Sequence, residues 1–300
     1  MDYSAFIESI KFERNFSPTS VRGYSNDMSI ISRFLDSRGK NDVTGIDHPL
    51  ITDFIRYLRT EVPGRLNPVG LCDATISRRL AVFSSFLDYT RATTLPDLRN
   101  PISEIRRKFR KQKTCKAVDD VILARLISGI SVLRDQCLFA LYLSTGLRVA
   151  ELRSLNRTSI EFRSRTDNSG TEKLTGTGTV VGKGSKLRTF YVDGKTVPIV
   201  ANYLVSRTDD LEPLFLSERS QRLSVRAVQY CLSSWCKRLD LPHIHPHQLR
   251  HSYAQKLANA DIDALQLRAL MGHEDFNTTL GYFKIEEQKI AQGYFAAMES

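Results

Sequence analysis

A chain of 300 residues with 41% hydrophobic content is long enough for two packed domains of about 150 residues each. Its 43 Lys and Arg against 33 Asp and Glu leave a net charge of +10, which favours a polyanionic partner, most often nucleic acid. No apolar run approaches the roughly 18 residues of a membrane span, MDYSAFIESI carries an acid where a secretory signal would be basic, and five cysteines without a CxxC pair suggest neither a disulfide framework nor a zinc ribbon. The expectation is a cytoplasmic globular protein with reduced thiols.

In chain order, a short helix is expected near residues 3 to 14. A longer one follows, with Ser17 as N-cap, Pro18 at its first position and Gly39 as its stop. HPLITDFIRYLRTEV and DATISRRLAVFSSFLDYTRAT add two more, the latter opened by Asp73, making a four-helix unit that ends around residue 95. RRKFRKQKTCK then places seven basic side chains, Arg106, Arg107, Lys108, Arg110, Lys111, Lys113 and Lys116, in eleven positions. Such a run is either a solvated linker or a strap along a phosphate backbone, where each neutralised phosphate releases counterions. Either way it divides the chain into residues 1–105, a basic linker over 106–116, and residues 117–300.

Beyond the linker the pattern is again helical, except for GTGTVVGKGSKLRTFYVD, whose β-branched and aromatic runs flank a glycine-containing turn and predict a hairpin over 177–193. A phosphate-binding P-loop is rejected, because Thr177 stands where the pattern needs glycine and Gly184 where it needs Ser or Thr. Downstream, Val225, Val228, Leu232, Trp235 and Leu239 form a core stripe, so Trp235 is read as packing and not as a base-stacking residue. In HPHQLRHSYA, a helix opened by Pro246 brings His247, Arg250 and His251 to one face, with Leu249, Tyr253 and Leu257 on another. A zinc cluster of His243, His245 and His247 lacks a partnering Cys or carboxylate at ligand spacing.

The cationic pieces fall in a fixed order: Arg148 in STGLRVAELRSL, Lys183 at the hairpin turn, His247 and Arg250 in HPHQLRH, His273 in LMGHED, and Tyr282 nine residues after it. With these motifs the chain resembles the tyrosine site-specific recombinases, or phage-type integrases, most closely their compact Xer-like branch, over nearly its whole length. That resemblance implies a mainly α fold with a small antiparallel β-sheet. It implies a helical core-binding domain, joined by the basic linker to an α+β catalytic domain of the tyrosine recombinase and type IB topoisomerase type.

By the same match, Arg148 and Arg250 would clamp a scissile phosphate, and Glu151 would brace Arg148. Lys183 would act as general acid, His247 and His273 would complete the pocket, and Tyr282 would be the nucleophile. Lys186, three residues beyond Lys183, can reach the same place. Tyr294 is read as packing, with Ala291, Phe295 and Met298. A tyrosine hydroxyl has a pKa near 10 and attacks poorly until positive charge lowers the cost of the phenolate. Two arginines, a lysine and two histidines are expected to supply that charge and to stabilise the phosphoryl oxygens, so neither metal nor ATP nor another cofactor is called for.

The partners implied are duplex DNA sites and three further copies of the chain, in a tetramer linked by exchanged C-terminal helices. Accessory DNA-bending or partner recombinase proteins and a nucleoid location go with them; a membrane does not. Swivelling by a type IB topoisomerase-like enzyme, or regulation by a non-catalytic DNA-binding protein on the same fold, are the alternatives. A compact enzyme without an arm-binding domain is expected, because the sequence starts almost directly with the first helix, and Gly281, directly before the tyrosine, suggests a flexible nucleophile segment.

Overall fold

The computed structural model describes residues 2–64, 70–106, 116–166, 170–182, 186–273, 275–283 and 298. The chain divides into two compact units, Met1–Lys113 and Thr114–Ser300, each with its own hydrophobic core.

The first unit contains α1 (Ser4–Phe12), α2 (Pro18–Ser37), α3 (His48–Thr60), α4 (Asp73–Thr93) and α5 (Ile102–Arg106). Ser17 caps α2 by accepting from the Ser20 amide at 3.3 Å, and Asp47 caps α3 by accepting from Leu50 at 2.9 Å. Both satisfy amides that have no partner in the first helical turn. Asp73 is the first helical residue of α4 and not its cap; it pairs with Arg59 at 3.0 Å. The aromatic core interlocks Phe34 with Phe54 at 4.9 Å, Phe54 with Phe83 at 5.7 Å and Phe6 with Phe86 at 5.3 Å. A buried carboxylate, Asp27, is held by Arg78 and Arg79, as an interior charge requires. The sequence reading stopped at four helices, and α5 is the difference. Its five residues are too few for periodicity to register, yet Ile102 and Ile105 are buried in the same core.

The second unit contains α6 (Asp120–Gly129), α7 (Leu133–Thr145), α8 (Val149–Ser154), β1 (Glu161–Thr166), β2 (Glu172–Val181), β3 (Leu187–Val192), α9 (Val197–Val205), α10 (Val225–Arg238), α11 (Pro246–Asn259), α12 (Ala264–Met271) and α13 (Phe276–Leu280). Buried Cys137, Leu138, Phe139, Leu141 and Tyr142 make α7 the axis around which α6, α9, α11 and β3 pack. The strands form one antiparallel sheet in the order β1-β2-β3, with Val181 opposite Leu187. The expected hairpin is there as β2 and β3, but β2 begins at Glu172 and β1 was not anticipated. Every residue of β1 is exposed, so it carries no alternation of apolar and polar positions to read. On α10, Val228, Leu232 and Trp235 are buried, and the Trp235 indole donates to Asp135 at 2.8 Å, which makes it a packing residue. Among the described residues no helix is long and apolar enough to cross a membrane.

Candidate active site

The site begins where α7 stops. Gly146 closes that helix in the left-handed conformation at φ 57°, and a Cβ there would lie 2.1 Å from the Tyr253 ring on α11. Only glycine meets both demands. The turn buries Leu147 and sets Arg148 at the N-cap of α8, one helical turn before Glu151. The Arg148 amide donates to Glu151 Oε2 at 2.7 Å, and its guanidinium Nη1 donates to Oε1 at 2.8 Å. Arg188 of β3 donates to the same carboxylate at 2.5 Å. Burial alone would raise the Glu151 pKa, but the Arg148 amide and the Arg188 and Arg148 guanidinium groups outweigh it, and the carboxyl sits below its ordinary range.

Helix α11 supplies the next group. Pro246 occupies its first turn, and the face bearing His247, Arg250 and His251 turns toward Arg148 and Glu151, while Leu249 and Ala254 are buried. Arg250 is only 5% exposed, and its Nη1 donates to the Gly146 carbonyl at 2.5 Å. Burial first, then the charges of Arg148 and Arg188, push its pKa down to about 10, which still leaves it charged at neutral pH.

The third part is the C-terminus of α12, closed by Gly272 at φ 61°. The last carbonyls of a helix have no partner inside it and carry partial negative charge. Here arginines from different elements take four in succession. Arg188 donates to Leu270 O, Arg250 to Met271 O, Arg148 to Gly272 O at 2.7 Å and Arg268 to His273 O at 3.2 Å. A helix end thereby orients Arg148 and Arg250, residues more than a hundred positions apart in sequence, beside one another.

Past this turn, His273 Nδ1 lies 2.9 Å from the hydroxyl of buried Thr279 on α13, and α13 delivers Tyr282. The Tyr282 ring stacks on His273 at 6.3 Å, and its hydroxyl lies 2.6 Å from Nδ1 of His251. Burial, then Arg250 and Arg148, pull the His273 pKa down to about 4. His247, although its ring reaches the surface, is lowered by the protein around it and then by Arg250 and Arg148; His251 is lowered by burial, His247 and Arg250. Burial and the neighbouring charges disfavour the protonated form of all three rings, most strongly at His273. Gly281 has ordinary helical dihedrals, φ −60° and ψ −14°, so nothing in its backbone conformation sets the segment before Tyr282 apart.

Of the expected site residues, Arg148, Glu151, Arg250 and His273 are joined by this network; Tyr282 stacks on His273, and His247 lies close enough to feel both arginines. Lys183 lies outside the described residues, as do positions 107–115 of the basic linker, position 294 and most of the tail. Lys116 is exposed. Lys186 lines a cleft of about 740 Å³ together with Arg148, Arg188, Arg268, Gly272 and His273. Among the described residues no group of His, Cys, Asp or Glu is arranged to hold a metal ion. The sequence reading gave no role to His251, although it placed that residue on the right face, or to Arg188 and Arg268. Single arginines in a strand and a helix carry no motif of their own.

Arg148, Arg250 and His273 thus meet at the end of α12, with Tyr282 stacked on the last. The phage integrase family matches residues 120–289 and the family's N-terminal SAM-like domain matches residues 4–94; the chain belongs to this family of tyrosine recombinases. It is 30% identical to tyrosine recombinase XerC of Chromohalobacter salexigens over 93% of this chain and 89% of that protein. It is 31% identical to tyrosine recombinase XerC of Alcanivorax borkumensis over 98% and 92%. Its fold is that of the Tn1549 transposon integrase solved with circular intermediate DNA (TM-score 0.71, 17% identity, 96% of each chain). It is also that of XerH recombinase solved with a palindromic difH substrate (TM-score 0.67, 17% identity, 94% of this chain and 81% of that one).

Proposed function

We propose that this protein cleaves and rejoins duplex DNA at specific sites, with Tyr282 forming a 3′-phosphotyrosine bond and strands then being exchanged between two sites. The observation that carries the assignment is the convergence on one helix end of Arg148, Arg250 and His273, with Tyr282 stacked on the last. Arg148 and Arg250 then hold the non-bridging phosphate oxygens, which gain charge as the nucleophile adds. Glu151 fixes the Arg148 fork. His247 and His273 donate hydrogen bonds. Lys183 protonates the departing 5′ oxygen, and the basic residues from Arg106 to Lys116 follow the DNA backbone.

The domain division is 1–105 for a core-binding unit, 106–116 for the linker and 117–300 for the catalytic unit. The working assembly is a tetramer on two DNA sites, with C-terminal helices exchanged between protomers, in the nucleoid and with accessory proteins where a site demands them. Swivelling without exchange is not favoured, since the relatives that match nearly end to end are named recombinases. The test is trapping on a nicked suicide duplex. Tyr282→Phe should bind the duplex and form no covalent adduct, while Tyr294→Phe should still cleave. An adduct from Tyr282→Phe rejects the assignment.

A further inference from the structure

The contact at the nucleophile points beyond the residues already given roles. Tyrosine oxygen cannot bond to phosphorus and keep its proton, so something must take that proton during cleavage and return it during rejoining. From the geometry we infer that His251 is this proton acceptor. The inference rests on the reading of Tyr282 as nucleophile.

His251 Nδ1 lies 2.6 Å from the Tyr282 hydroxyl, inside ordinary hydrogen-bond reach, and the ring centroids are 5.4 Å apart. The other histidines are placed for other work. His273 commits its Nδ1 to Thr279 and stacks flat on the Tyr282 ring, while His247 lies one turn earlier on α11, on the side of the two arginines. To accept, Nδ1 must be unprotonated, with the ring proton on Nε2. The groups facing His251 are His247 and Arg250 from its own helix, His273 from the turn after α12, and the phenol, which donates to Nδ1 when the ring proton is on Nε2. Burial and the first two of these lower its pKa.

The step balances as follows. In cleavage the Tyr282 oxygen bonds to phosphorus, its proton passes to His251 Nδ1, the bond from phosphorus to the 5′ oxygen breaks, and that oxygen takes a proton from the general acid. In rejoining, a 5′ hydroxyl attacks, the bond from phosphorus to the Tyr282 oxygen breaks, and the imidazolium of His251 returns its proton to the phenol.

The experiment is single-turnover adduct formation on the nicked suicide duplex, followed across the pH range in which histidines titrate, with wild type, His251→Asn and Tyr282→Phe. Asparagine keeps a polar atom near the Nδ1 position but takes no proton. The wild-type rate should climb with pH as His251 loses its proton and then level off. His251→Asn should bind the duplex normally, react roughly 100-fold more slowly or worse, and lack the levelling, its rate still rising toward phenol ionisation. A wild-type rate in His251→Asn, a slowed rate that keeps the wild-type levelling, or a wild type without that limb, overturns the inference. An adduct from Tyr282→Phe would instead reject the nucleophile reading. Should asparagine disturb α11, nitrogen NMR of the wild-type ring decides independently: Nδ1 must show the acceptor form and shift in Tyr282→Phe, and a protonated Nδ1 at neutral pH is the contrary result.

Discussion

Lys183 and Lys186 differ in position by three residues at one turn, and chemistry can separate them. A 5′ alkoxide is a poor leaving group until protonated, whereas a 5′ thiolate leaves readily, and a positioned acid contributes roughly 100-fold to 10,000-fold. Lys183→Ala should be slowed by that order on ordinary DNA and largely rescued when the bridging 5′ oxygen is sulfur, while Arg148→Ala should not be rescued. If Lys186→Ala shows the rescue, the role belongs to Lys186. The histidines make a prediction on stability. His273 holds its proton only below about pH 4, against 6.5 for an ordinary histidine, so between those values the unfolded chain binds a proton that the native chain does not. Stability should therefore fall on acidification through that window and stop responding to this group below it; His247 and His251 act in the same direction. Denaturation midpoints should fall less steeply in His273→Asn. At this scale the sequence was legible where residues came in spaced motifs, as with Arg148, Arg250 and Tyr282. It was silent on charge states. A histidine in a list of cations looks cationic, and only the burial of His273 beside Arg250 and Arg148 shows that its charged form is disfavoured.

Among the elements, α12 does most to assemble the site, and its role depends on how it ends. Alanine at Gly272 would have to hold φ 61° and would meet Arg188 Cδ at 3.0 Å and Nε at 3.2 Å, all flexible side-chain atoms. At Gly146 the same methyl would meet the ring of Tyr253 on α11 at 2.1 Å, far inside van der Waals contact. Gly272→Ala should lose about 1–3 kcal/mol for the strained backbone, with slower adduct formation as Arg188 and Arg148 shift. Gly146→Ala should lose clearly more in the same urea titration; equal losses would mean the ring gives way. The long amphipathic helices and their caps could be read from Ser17, Pro18 and the stripe of Val228, Leu232 and Trp235. β1 and α5 could not, one being exposed throughout and the other five residues long. Nor could any sequence pattern show that arginines would converge on carbonyl oxygens, because peptide oxygens are the same at every position.

For the whole molecule, net charge sets the affinity for DNA. Of the +10 surplus, seven positive charges lie between Arg106 and Lys116. If this segment follows the backbone, replacing Lys108, Lys111 and Lys113 by alanine should reduce the slope of log affinity against log salt by about 0.9 for each phosphate no longer neutralised. The choice of cleavage position should not change, and an unchanged slope would return the segment to the role of solvated linker. The ladder of arginines on α12 also governs how far the chain can diverge and still work. Four of the site's bonds end on the main chain of residues 270 to 273 and not on their side chains. The side chains of Leu270 and Met271 are therefore freer to change than Gly272, held at φ 61°, or His273, which stacks on Tyr282. Met271, wholly buried, can become leucine at a cost below about 1.5 kcal/mol without removing one of those bonds. The arginines have no such freedom, since Arg148, Arg188 and Arg250 reach their oxygens from α8, β3 and α11, and Arg268 from α12 itself. The chain's heritable constraint thus lies as much in the scattered residues that grip the turn as in Gly272 and His273 within it.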